Sequence, residues 1–594
     1  MKKSLAAVVF GVLMVATLAM ADAAAAAPVS APAVVRIETT VNPSWVVSRE
    51  IEICPTTCPN TLTLTTSTTL TEDHYGNILI HSDNVTLDCA GHTIHGPGVP
   101  GISGGVDIVL SNGVTVKNCV ISDFAFANGI FAAVGSNLRL QNNTLVGNAA
   151  NGVHVDRMAD GALIGNRSVS NAGYGIALTE SRRMSVVNNV VERNGASGIA
   201  LLEASNGNTL KANQAEANLN GFVAAGAATA NTFVDNVAKA NSQTGFILVE
   251  GASANTFTNN LAKANGENGF TVFASTGNTL KANQAEANLN GFVAAGAATA
   301  NTFDGNLAKA NRESGFILVE AASGNTFTNN RAQANGGNGF TVDASNGNTF
   351  GTNAAFDNGV DGIWLQAVER SELAGNQVQH NHRSGIVLVE TKRSRLIGNL
   401  VSENGNYGLE VQSSNGNELI GNDVRSHPSD GIAIFFSHNN SVVDNKSIGN
   451  VWGIGLYSST STLLAGNQVM NSREHGILLL DDSTGNHVER NQVIQSGLVG
   501  FLLVGADGNT LTGNIANQNG DEGFVLTSGS TANTLSDNKS MTNRVGFSLQ
   551  PGAIGNTLGQ NVAHANAAID AEDQNVVGSN TWLNNNFGTT SGIY

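Results

Sequence analysis

The stretch Asn208-Thr209-Leu210-Lys211-Ala212-Asn213-Gln214-Ala215-Glu216-Ala217-Asn218-Leu219-Asn220-Gly221-Phe222-Val223-Ala224 decides the fold, because it is a repeat that returns as Asn278–Ala294. The wider block Asn208–Phe233 recurs as Asn278–Phe303, seventy residues on. Its landmark is a glycine followed by Ile, Phe, Val or Leu, any residue, then usually Leu or Val. The landmark runs from Gly105 to Gly546, as in Gly198-Ile199-Ala200-Leu201 and Gly476-Ile477-Leu478-Leu479, with an average step of about 23 residues. Between landmarks, asparagines fall five apart, as at Asn278, Asn283 and Asn288. Asparagine tolerates left-handed backbone at corners, and its amide can bond its own copy in the next repeat. No segment between corners is long enough for a helix. A chain that turns this often and repeats at this period pairs each strand with its copy above and below, at about 4.8 Å per coil. The pattern predicts an all-β parallel solenoid of about 20 coils. The residues one and three places after each glycine point inward, and those two and four places after it point outward.

Composition agrees. Charged residues are 13% of the chain, about half the usual share, so helical bundles with charged faces are excluded. At 41% hydrophobic the chain is too apolar for disorder. A net charge of −17 argues against nucleic acid and anionic membranes as partners.

Met1-Lys2-Lys3, the apolar run Leu5–Met20 and Ala21-Asp22-Ala23 read as an export signal over 1–26, so the mature chain is expected to be secreted, periplasmic or on the cell surface, with no membrane span after signal removal. Residues 27–59 read as an N-terminal linker or cap, 60–590 as the solenoid and 591–594 as a tail. In an exported chain the four cysteines suggest disulfides, in sequence order Cys54 with Cys58 and Cys89 with Cys119. A zinc site using His92 or His95 is the rival, but Cys-x-x-x-Cys has no matching second half.

Asn84-Val85-Thr86-Leu87-Asp88-Cys89-Ala90-Gly91-His92-Thr93-Ile94, followed by Gly96, resembles the first coil of right-handed parallel β-helix proteins of the carbohydrate-binding/sugar-hydrolase, NosD-like and pectin-lyase-like group. Gly578-Ser579-Asn580-Thr581-Trp582 with Asn585-Asn586-Phe587-Gly588-Thr589 is similar to a closing coil. The resemblance implies a single-stranded right-handed β-helix with any active site in a groove along one strand face. It leaves activity open, because this fold hosts lyases, epimerases, hydrolases and non-enzymes.

The outward column two places after the glycines has 18 members from Gly152 to Gly546, mostly apolar, which predicts either a covered face or an apolar ligand. The coils from Gly362 to Gly453 depart from it. Their outward columns supply Trp364, Gln366, Glu410, Gln412, Phe435 and Tyr457. Asp361, Arg383, Tyr407, His427, Asp430 and Trp452 lie just before the glycines, and Lys392 and Arg393 lie in a neighbouring turn. Aromatic rings pack on sugar C–H faces and cations pair with uronate carboxylates. The candidate substrate site is therefore Trp364, Gln366, Gln412, Phe435, Tyr457, Lys392 and Arg393 for binding. Chemistry falls to His427 or Tyr407 as base and acid and Arg383 as carboxylate neutraliser, with Glu410 and Asp430 beside them.

Glycoside hydrolysis needs two carboxyls about 5–10 Å apart, and Glu410 has no such partner in the outward columns. Uronate epimerases of similar fold carry Asp-Pro-His, whereas this chain has Ser426-His427-Pro428-Ser429-Asp430. A second charged patch, His154, Asp156, Arg157, Glu180, Arg182 and Arg183, lacks an aromatic platform.

Soft copper sites want clustered Met, His or Cys. Met158, Met184, Met470 and Met541 share no His motif, so a NosD-like copper role is the least supported. No metal or other cofactor is implied, with calcium left open. Two readings remain: an exported polysaccharide-binding protein with lyase- or C5-epimerase-like chemistry, and a non-catalytic adhesin-like rod, which the block duplication favours.

Overall fold

The computed structural model describes residues 33–40, 46–53, 61–96 and 103–593. The chain forms two compact units, Met1–Ile247 with Ala264–Glu267, and Leu248–Lys263 with Asn268–Tyr594. Both have the same build, a right-handed parallel β-solenoid with three parallel sheets and no helix among the described residues. Together they hold about 23 turns. The count exceeds the landmark glycines because coils such as Thr61–Leu64 and Asn77–Ile80 lack one.

In the first unit, Ala33–Thr40 and Val46–Ile53 pair antiparallel, within the segment read from sequence as a linker. Cys54 and Cys58 lie outside the described residues. A coil here has three strands, as in Ser185–Val187, Val190–Glu192 and Ile199–Leu202. Each pairs with its copy one coil on: Ser185 with Thr209, Val190 with Gln214, Ile199 with Phe222. Cys89 and Cys119 form a disulfide between successive coils, with Cα atoms 4.8 Å apart.

The second unit shows why the strands are so short. A three-residue strand presents only its middle side chain to the interior, and in Thr302–Asp304 and Thr326–Thr328 that residue is phenylalanine. Phe303 and Phe327 stack at 4.3 Å, and Phe270, Phe292, Phe316 and Phe340 stack at 4.6–4.9 Å. The two stacks meet edge-on, Phe316 against Phe327 at 6.1 Å. Offset and edge contacts of this kind add to the burial of each ring.

Between strands the chain turns through a left-handed residue and then a buried asparagine. The left-handed residue is the one before the ladder asparagine, not the asparagine itself as the sequence suggests: Ala282 (φ 53°) precedes Asn283, and Ala287 (φ 57°) precedes Asn288. Within a ladder, these corner asparagines bond the same position of the coils on either side. Asn306 Oδ1 accepts from the backbone N–H and the Nδ2 of Asn283, at 2.9 and 3.1 Å. Its own Nδ2 donates to Leu280 O and Asn330 Oδ1, at 2.8 and 2.9 Å. Corner groups that no strand ladder can reach are thereby paired inside the solenoid.

His427 belongs to such a ladder. It is fully buried, where the sequence reading has it beside the substrate. Asn404 Nδ2 donates to its Nε2 at 3.1 Å, and its Nδ1 donates to Asn450 Oδ1 at 3.0 Å. The neutral imidazole stands in for a carboxamide in the run Asn381, Asn404, His427, Asn450. Both nitrogens are engaged, so it has no free position for a substrate proton. Burial lowers its pKa to about 4, against the bond with Asn450.

Two outcomes follow from the ladders. Asn306→Ala strands several buried partners and is expected to cost about 2–4 kcal/mol in urea unfolding. For His427 the unfolded imidazole takes up protons near pH 6.5 and the folded one near 4. Stability is therefore lost as pH falls through that window. His427→Asn is expected to match the parent at pH 7.5 and to gain up to about 3 kcal/mol over it by pH 4.5. Equal losses of both proteins on acidification would contradict the assignment.

Candidate functional site

In the second unit the strands Ile363–Gln366, Ile386–Val389, Leu409–Gln412, Asp430–Phe435 and Trp452–Tyr457 pair in parallel register. The register aligns Trp364, Val387, Glu410, Ala433 and Gly455 in one column. Gln366, Val389, Gln412, Phe435 and Tyr457 form the next. All six outward residues picked from the sequence thus share one sheet. Alternation sends Ile363, Leu365, Leu409 and Val411 into the core, which frees the intervening positions for the outer face.

The residues before the glycines complete a strip with a floor and two sides. Ser384 Oγ donates to Glu410 Oε2 at 2.8 Å, and Tyr457 OH donates to Asp430 Oδ2 at 2.7 Å. The same leaning contact occurs at Ser314 and Thr341, whose hydroxyls are 3.1 Å apart. Flanking side chains therefore close over the middle column. Ala433, Leu478 and Val387 are buried though they point away from the core. Of the two alternatives read from the sequence, a covered face or an apolar ligand, the first holds for much of the column, and the chain itself supplies the cover.

Aromatic rings line the strip. Phe435 stacks on Tyr457 at 4.6 Å and meets Tyr407 edge-on at 5.6 Å. Trp364 is half-buried on the floor, and the Trp452 indole N–H donates to Glu474 Oε2 at 2.7 Å.

The electrostatics are dominated by partly desolvated acids. Burial raises Glu410 above the usual carboxylate range; Asp361 adds to the rise, while Ser384's bond and Arg383 oppose it. Burial likewise raises Asp361 and pushes Asp430 up to about 7, against the bond from Tyr457. Tyr407 is raised by burial first, then by Asp430 and, less, by Glu410. Arg383 supplies the positive charge, with Nη1 3.8 Å from Asp361 Oδ2. Perturbed acids gathered with a cation on one strip are a mark of functional sites. Asp361, which lies before its glycine and outside the outward columns, is the carboxyl that acts on Glu410.

Lys392 and Arg393 are not on the strip. They occupy the corner after it, where Lys392 aligns with Glu369 and Asn415, and Arg393 pairs with Glu369 at 3.0 Å. Lys392 lines a shallow depression there with Ala367, Glu369, Glu390 and Ser413. The sequence reading missed Ser384, which holds Glu410, and Gly455. The signal for Gly455 was available, since it is the one glycine in the 18-member column.

In the first unit, Arg157 pairs with Asp156 at 2.6 Å and Arg183 with Asp160 at 2.6 Å, so those guanidiniums are engaged. Among the described residues no group of three or more His, Cys, Asp or Glu is arranged to hold a metal ion.

Comparison with known proteins adds the family. No curated protein matches the chain in sequence. Among solved structures, it is similar to the periplasmic alginate epimerase AlgG at 13% identity, over 54% of this chain and 77% of that one, with a TM-score of 0.31. It is similar to the A-module of the Azotobacter vinelandii mannuronan C-5 epimerase AlgE4 at 15% identity, over 57% and 88%, with a TM-score of 0.29. A third similarity is to tailspike protein 3 of bacteriophage CBA120 at 11% identity, over 59% and 53%, with a TM-score of 0.31. Likeness this distant carries no argument about activity. The profile described as "Right handed beta helix region" matches residues 60–215, 104–262, 220–368 and 361–516. With most of its length so matched, the chain belongs to the right-handed β-helix family.

Proposed function

We propose that this is an exported β-helix protein that binds a polysaccharide along the strip from Trp364 to Tyr457 and acts on uronate units in it by proton transfer. What supports the reading is that Arg383 acts electrostatically on Glu410 and Glu410 on Tyr407, whose ring meets Phe435 edge-on. Removing a proton beside a uronate carboxyl takes a base, an acid and a cation to neutralise the carboxylate. Glu410, half-buried and steadied by Ser384, replaces His427 as the base. Tyr407 supplies the acid, and Arg383, half exposed and only loosely held by Asp361, turns to the substrate carboxylate. Trp364, Phe435 and Tyr457 offer sugar-stacking faces, and Gln366 and Gln412 offer hydroxyl partners. Lys392 and Arg393 contribute long-range attraction from the corner.

The second reading, a non-catalytic rod, is favoured by the duplicated block, which lies outside this strip and adds length without adding chemistry.

Proton NMR of the mature protein with alginate, pectate and other polyuronates, with and without calcium, separates the two. Vinylic signals mean a lyase, and changed anomeric ratios without cleavage mean an epimerase. Glu410→Gln and Tyr407→Phe are each expected to lower the rate a hundredfold or more. The tryptophan fluorescence change on glycan binding should stay within a few-fold. His427→Asn should keep full activity. Because the base must be ionised and burial raises Glu410, the rate is expected to fall as pH drops through a value above the usual glutamate range. Unchanged spectra throughout would remove the catalytic reading, and absence of any fluorescence change would leave the rod.

A further inference from the structure

Asp430 is fully buried on one side of the strip, and its two carboxyl oxygens are treated differently. Oδ2 accepts from Tyr457 OH at 2.7 Å, while Oδ1 is buried with no partner among the protein atoms. The bond crosses the floor at Gly455. A Cβ there would lie 2.5 Å from Tyr457 Cε2 and 2.7 Å from both Asp430 Oδ2 and Tyr457 OH, so only glycine lets the two groups meet. Beyond Tyr457 the contact passes face to face to Phe435 and then edge-on to Tyr407. One carboxyl therefore anchors a row of three aromatic side chains, including the proposed acid.

We propose that Asp430 is a proton-operated latch of this strip: with its proton it holds the Tyr457–Phe435–Tyr407 row closed across Gly455, and without it the row opens to water. The physical reason is solvation. A neutral carboxyl tolerates burial with one hydrogen bond, whereas a carboxylate needs several donors or a cation.

The groups facing the latch do not supply them. Tyr457 and Tyr407 are both held in the neutral form, by burial first and then by Asp430. Asp481 and Glu410 add only negative charge around those two rings. His427, three residues earlier, is neutral within its ladder, with Glu403 the acid acting on it. The Arg473 guanidinium donates to His427 O at 2.9 Å.

The closed carboxyl titrates at about 7 and an opened one near the ordinary 3.8. The closed state is thus fully favoured below about pH 4 and loses its advantage as pH rises to about 7, with no further change above. For a bound glycan, the consequence rests on the strip being the site proposed above. The latch itself can be read without glycan.

Hydrogen exchange of the full chain, without glycan and corrected for intrinsic exchange, tests it between pH 4.5 and 8. The background is His427→Asn, because His427 titrates in part of this window with the opposite sign. In peptides spanning 430–457, the opening constant is expected to rise ten- to a thousandfold up to about pH 7 and then level, while peptides from 477–504 stay flat. Asp430→Asn should abolish the rise. Tyr457→Phe, which keeps the ring stack and removes the donor, should carry it to higher pH. A flat parent profile, or the same rise in Asp430→Asn, overturns the proposal. If Asp430→Asn does not fold, an unshifted rise in Tyr457→Phe overturns it instead. Neither result depends on polyuronate turnover, so failure here and failure of the proposed activity are separately visible.

Discussion

The bond on which everything else rests is the asparagine carboxamide stacked on its copy one coil away. A chain that turns three times in about 23 residues leaves N–H and C=O groups at every corner that no strand can pair. Burying them unpaired would cost about 1–3 kcal/mol each. Asn306 meets the need with four hydrogen bonds, two accepted and two donated, and Asn283 and Asn330 do the same beside it. The strands can then be as short as three residues, because the corners carry hydrogen bonds of their own. The phenylalanine and leucine columns fill what is left of the interior.

Because the ladder is internal, the outer face is free to vary. Trp364, Glu410 and Gly455 occupy equivalent positions in one column, yet they differ in size, charge and polarity. Each coil is satisfied by its neighbours whatever it shows to solvent. This is also why the block Asn208–Phe233 can stand twice in the chain: a copy brings its own asparagines and meets the next set in register.

Much of the fold was legible for the same reason. The five-residue asparagine spacing and the glycine landmark are direct records of corners and inward strands, and the pairing of Cys89 with Cys119 follows from their equivalent places in adjacent coils. What misled was chemistry read from residue type. His427 looks like a catalytic base because histidine often is one, but its place in the five-residue rhythm, where Asn404 and Asn450 stand in adjacent coils, identifies it as a ladder member. The apolar outward column was legible only in part. Alternation gives the direction of a side chain, not whether its neighbours lean over it, and contacts such as Ser384 with Glu410 arise between positions that the sequence treats separately.

His427 and Asp430 show how a ladder and a site can share one corner. They are three residues apart, and burial moves both toward the neutral form, which means down for the imidazole and up for the carboxyl. Their effects on stability run in opposite directions: acidification through pH 6.5 to 4 penalises the buried histidine and relieves the buried aspartate. This corner therefore keeps a flatter pH response than either group alone would give. The two contributions to unfolding offset each other while their structural consequences stay separate, since His427 bonds inward to Asn404 and Asn450 and Asp430 bonds outward to Tyr457. The outer strip can thus change with pH at a corner whose own contribution to unfolding changes little.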